Sequence, residues 1–128
     1  MIKPLLIYIE VLNIDGEIKF STDPCHKKLI KDNLYELSLN HNITQTTRFK
    51  INLEENLGTK SHLIIKKIVL DGTPLDNFDA WAKYIVYSEP KPISAFGYME
   101  RKGHYIINIH QSAMIHNFMA YFKNISRD

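Results

Sequence analysis

The sequence predicts a single all-β domain: an antiparallel β-sandwich, jelly-roll-like, with at most a short helical turn near residues 75–80. Three observations lead there. Isoleucine occurs 18 times in 128 residues, while alanine and glycine occur 5 times each, a bias toward a strand former and away from the best helix former. Apolar and polar residues alternate with a period of two through most of the chain. Turn signals separate these runs at short intervals, giving roughly eight strands, as sandwiches and barrels require. The length suits one domain covering 1–128. No stretch approaches the roughly 20 apolar residues of a membrane helix.

Leu5 to Leu12 is a strand with Leu5, Ile7, Ile9 and Val11 on one face. Asn13-Ile14-Asp15-Gly16 follows, and Asp-Gly is a hairpin signal. Glu17 to Phe20 returns with Ile18 and Phe20 inward, and Ser21 to Lys31 reads as a loop or edge segment. Leu34 to Asn40 and Arg48 to Glu54 alternate cleanly, with Tyr35, Leu37 and Leu39, then Phe49, Ile51 and Leu53, on their inner faces. In Ser61 to Leu70 the inward parity switches at Lys66–Lys67, between Leu63 and Ile65 on one side and Ile68 and Leu70 on the other. One extra residue there, a β-bulge, returns both pairs to the same face.

Asp71-Gly72 closes that strand. Thr73-Pro74-Leu75-Asp76 has the pattern of a helix start, and Tyr84 to Tyr87 that of a strand. Ile93 to Met99 is a strand, Glu100 to Gly103 a hairpin, and His104 to His110 a strand with Tyr105, Ile107 and Ile109 on one face. Met114 to Lys123 fits a helix face and a strand face equally.

The net charge is +2, and the basic residues fall in scattered pairs rather than in the stripe of a nucleic-acid domain. Cys25 is the single cysteine, so an intrachain disulfide is excluded, which fits a reducing compartment. His26, Lys27 and Lys28 could lower the pKa of its thiol, but a lone cysteine in a loop is more often inert. The N-terminus carries no signal-peptide pattern, so secretion by a signal peptide is not expected. There is no nucleophile elbow, no phosphate loop and no paired carboxylates; Glu54 and Glu55 are adjacent and face opposite ways on a strand. An enzyme is not expected.

Asp71, Asp76, Asn77 and Asp79 fall within nine residues. Calcium takes six to eight oxygen ligands, and loops rich in Asp and Asn supply them; turn-forming and capping acids explain the same cluster. His104, His110 and His116 share parity, but His104 and His110 lie about 20 Å apart along a strand and cannot share one metal. Trp81, Tyr84, Tyr87 and Tyr98 are the aromatic candidates for a ligand. Trp81 and Tyr84 could stack on a sugar ring while Asp76 and Asp79 bond its hydroxyls. The more ordinary reading of Trp81 is a core residue closing one end of the sandwich.

The second half of the chain carries an arrangement: a strand ending in Asp71-Gly72, then Leu75, Trp81 and Tyr84, then Gly97-Tyr98, the strand Gly103 to Ile109, and Ile115 to Met119. It resembles small β-sandwich proteins of T4-like tailed phages of marine bacteria, and calcium-dependent carbohydrate-binding modules of the xylan-binding type. The resemblance covers 34–123 loosely and 62–120 better. It implies a sandwich whose last segment is a strand, and a non-enzymatic binding or accessory protein of a tailed phage, located in the host cytoplasm or the virion. Its partner would be a glycan or a phage or host protein, with Asp71, Asp76 and Asp79 as calcium ligands. Two other readings stand beside it. One is a virion structural or assembly component that binds protein or itself through an edge strand such as 17–20. The other is a binder of single-stranded nucleic acid.

Overall fold

The computed structural model describes residues 2–42, 44–75, 82–91 and 98–109. They form two antiparallel sheets packed as a β-sandwich. In chain order the strands are β1 (Ile2–Leu12), β2 (Ile18–Asp23), β3 (Lys28–Lys31), β4 (Leu34–Asn42) and β5 (Thr47–Asn56), then β6 (His62–Leu70), β7 (Thr73–Pro74), β8 (Ala82–Val86), β9 (Tyr98–Met99) and β10 (Gly103–Ile109). One sheet has the order β3-β4-β1-β6-β7, with β9 also on the outer edge of β6; the other has the order β2-β5-β10-β8. Residues 76–80 of the helical turn expected near 75–80, residues 93–97 of the strand expected at Ile93 to Met99, and the segment 114–123 lie outside the described residues.

The alternation read from the sequence is the core. Leu5, Ile7, Ile9 and Val11 of β1 face Phe49, Ile51 and Leu53 of β5 and Tyr105, Ile107 and Ile109 of β10 across the sandwich, all under 5% exposed. Each such aliphatic or aromatic side chain contributes about 1.5–3 kcal/mol by leaving water.

The expected bulge is in β6. Lys67 pairs with Tyr8 and Ile65 with Ile9, so Lys66 is the unmatched residue. Leu63, Ile65, Ile68 and Leu70 are all buried as a result. Deleting Lys66 restores strict alternation with the same inward set, and the variant is expected to fold. Deleting Lys66 and Lys67 together turns Ile68 and Leu70 outward and is expected to abolish the cooperative thermal transition seen by circular dichroism.

Two expected hairpins are not hairpins. β1 and β2 belong to different sheets, as do β9 and β10. The Asp15-Gly16 and Glu100 to Gly103 segments therefore carry the chain over the end of the sandwich. In the described residues only β3–β4 and β6–β7 are sequential pairs within one sheet. In the second of these, Asp71 (φ 51°) and Gly72 (φ 80°) form a two-residue turn between Leu70 and Thr73, the left-handed geometry that favours Asp-Gly. Thr73 and Pro74 then pair with β6, and the Leu75 amide donates to the Ile68 carbonyl at 2.8 Å. Thr73-Pro74 is thus edge strand, not a helix start, because the turn folds it straight back onto β6.

The Ser21 to Lys31 segment, expected as loop or edge, supplies the end of β2 and all of β3, both edge strands. Cys25 between them is partly buried, and burial pushes its thiol pKa up. This fits an inert thiol rather than one activated by its basic neighbours; the Lys27 ammonium donates to the Phe20 carbonyl at 2.7 Å.

Candidate functional site

The connections 13–17, 57–61, 87–91 and 100–102 gather at one end of the sandwich. Asp15 holds two of them together. Its carboxylate accepts from the Thr59 hydroxyl (2.6 Å), the Thr59 and Lys60 amides (2.9 Å each) and the Ser61 amide (3.0 Å). Buried Ser61 accepts from the Asp15 amide and donates to the Gly16 carbonyl. Asn56 makes the second tie, donating to the Ser61 and Glu100 carbonyls at 2.8 Å each while accepting from the Gly58 amide. Tyr84 makes the third: its hydroxyl donates to the Arg101 carbonyl at 2.5 Å and accepts from the Arg101 amide.

The Thr59 hydroxyl first, then the Lys60 and Thr59 amides, hold the Asp15 pKa far below the ordinary carboxylate range. A lowered folded-state pKa contributes stability that is fully present above the unfolded value, about 4, and is lost as pH falls through the folded one. The melting temperature of Asp15→Asn is therefore expected to fall below that of the parent at neutral pH. In a pH series of thermal melts the gap should narrow once pH drops below about 4. A gap constant with pH would show that the charge contributes nothing.

These ties frame an open recess of about 510 Å³ lined by Asn56, Tyr87, Ser88, Glu100, Arg101 and Lys102. Arg101 is ion-paired with Glu89 at 3.0 Å. Tyr87 is 63% exposed, and its amide donates to the Lys102 carbonyl. Its hydroxyl lies 3.2 Å from His104 Nδ1, with the two rings edge to face at 5.5 Å. Burial, and then the Lys50 charge, lower the His104 pKa, which keeps the imidazole neutral at neutral pH and able to accept from Tyr87. On the outside of the other sheet, Tyr98 stacks on His62 at 4.6 Å and reaches Glu100 Oε2 at 3.4 Å.

Of the residues singled out in the sequence, Tyr84 is 3% exposed. Its ring packs beside Tyr105 in the core, so it offers no stacking face and instead anchors the Arg101 loop. Trp81, Asp76 and Asp79, with His110 and His116, lie outside the described residues. Asp71 is in the turn at the other end of the sandwich, its carboxylate 3.5 Å from the Lys3 ammonium. Among the described residues no group of three or more His, Cys, Asp or Glu side chains is placed to hold a metal. Of the aromatic candidates among the described residues, Tyr87 and Tyr98 are the exposed ones. Asn56, Ser88, Arg101 and Lys102 were not singled out, because they come from three separate connections. The Asn56-Leu57-Gly58 turn was visible in the sequence, but nothing local said what it would meet.

No known protein family matches the chain, and no curated protein matches it. A solved structure described as vCBM60 in complex with galactobiose superimposes with a TM-score of 0.44 and 8% identity, covering 84% of this chain and 97% of that one.

Proposed function

We propose that this protein is a non-enzymatic carbohydrate-binding protein and that its site is the Tyr87 recess. The observation that carries the reading is the Tyr87 ring, well exposed at the wall of a recess otherwise lined by hydrogen-bonding groups. An aromatic face covers the C–H side of a sugar ring, and a few fixed polar groups then orient its hydroxyls. Ser88, Glu100 and Lys102 supply donors and acceptors there. The frame is already held by Asp15, Asn56 and Tyr84, so little ordering cost falls on binding. The tailed-phage accessory role implied by the resemblance is compatible with this reading. A printed glycan array probed with the whole chain tests it, with and without calcium. Binding to a defined set of glycans is expected, and an array without binding in either condition sinks the proposal.

One observation favours a second reading, a protein partner. β3 is an edge strand exposed along its whole length, with Leu29 at 54% and Ile30 at 41%. It is a better edge for strand addition than 17–20, where Lys27 already occupies the Phe20 carbonyl. Sedimentation of the isolated chain as a stable oligomer would support this reading over the first.

A further inference from the structure

The Tyr87 recess is continuous, through its own residues, with the outer face of the four-stranded sheet. Tyr87 bonds His104. His104 pairs across the sheet with Asn52, and Asn52 with Ser21. Asn52 Nδ2 donates to Asp23 at 3.2 Å, and Ser21 donates to Glu54 at 2.7 Å. Two residues beyond His104 on the same face, Ile106 pairs with Lys50. There a second, smaller groove of about 280 Å³ opens, lined by Asp23, Pro24, Arg48, Phe49, Lys50 and Ile106. Arg48 is held over it by a 3.1 Å bond from Nε to Asn108 Oδ1.

From Lys102 at the recess to Ile106 at the groove is four residues of β10, about 13 Å at strand rise. A single sugar ring cannot touch both. The face between them carries the His104 ring, the Asn52 amide and the Ser21 hydroxyl, with Ile85 paired beside His104. Its charges are mixed: Asp23 and Glu54 lie among Arg48 and Lys50. A phosphate backbone calls for a track of one sign, whereas a neutral polyhydroxylated chain calls for what is present.

Resting on the glycan reading of the recess, we infer that the ligand is an extended neutral oligosaccharide. It runs from Tyr87 across His104, Asn52 and Ile106 to the Arg48–Lys50 groove, and chain length is part of what is recognised.

The test is calorimetric titration of the full chain with a neutral oligosaccharide series, monosaccharide to hexasaccharide, of the sugar found on the array. Affinity is expected to climb with length until both recesses are filled, then to level off. Asn52→Ala and Arg48→Ala are expected to lower affinity for the long members about tenfold each and leave the shortest binding member unchanged. Arg48 is exposed, so its variant keeps the test valid if Asn52→Ala folds poorly. Equal affinity at every length, or long-chain binding indifferent to both substitutions, overturns the inference while the Tyr87 reading stands. Failure of every length to bind overturns both. Tighter, salt-dependent binding of oligo-deoxythymidine than of any oligosaccharide overturns both in favour of nucleic acid.

Discussion

Gly16→Ala is expected to lower stability by about 3 kcal/mol or more, seen as a drop of about 10 °C in the thermal midpoint. Gly16 lies where the β1–β2 crossing meets the β5–β6 connection. A methyl group there would sit 2.5 Å from the Leu57 carbonyl carbon and closer still to the Gly58 nitrogen. Both are backbone atoms, so no side chain can swing away. Relief requires the two connections to part, and that separates the Asp15 carboxylate from Thr59, Lys60 and Ser61. Gly72→Ala is the contrast. Nothing lies within 4 Å of the added carbon, but its φ is 80°, so the cost there is local strain of about 1–2 kcal/mol. If Gly16→Ala melts no lower than Gly72→Ala, the close approach of the two connections is wrong.

Tyr87→Ala is expected to weaken glycan binding by about 2 kcal/mol, or about thirtyfold, with the melting temperature almost unchanged. The ring is exposed and makes its described contact with His104 alone, so truncation leaves no cavity. Tyr87→Phe separates the two parts of the ring's role. It keeps the stacking face and removes the hydroxyl that bonds His104, and it should retain most of the affinity. Calorimetry on both variants checks this. A Tyr87→Ala protein that binds like the parent would move the site elsewhere on the surface.

Much of the fold could be read before any coordinates, for reasons visible in single residues. The bulge in β6 was legible because the parity of Leu63, Ile65, Ile68 and Leu70 is compatible with one buried face only if one residue of the Lys66–Lys67 pair is skipped, and the pairing with β1 shows it to be Lys66. Asp15-Gly16 was misread because a turn signal is local. It says the chain bends but not which sheet receives the next strand, and here the Asp15 side chain bonds residues 44 to 46 positions away. The aromatic residues show the same limit. Tyr84 shares parity with Val86, and Tyr87 with Ile85, but nothing in Tyr84-Ile85-Val86-Tyr87 says which pair faces inward. The structure buries Tyr84 and Val86, so the ring expected to meet a sugar holds the Arg101 loop, and its neighbour three positions on is presented to solvent. The site was less legible than the fold because its members converge from separate connections.

The alternation of the chain between the two sheets also governs how this protein can be taken apart. Because successive strands so often change sheets, neither sheet is encoded by a contiguous stretch. A fragment ending at Asn56 would hold β5 without β10 and β1 without β6, each strand lacking the neighbour that satisfies one of its edges. The chain must close long loops before most of its ladders can form, a topology associated with folding in milliseconds to seconds rather than microseconds. The recess inherits this dependence. Its walls come from connections more than forty residues apart in sequence, so the smallest unit that presents it is nearly the whole sandwich.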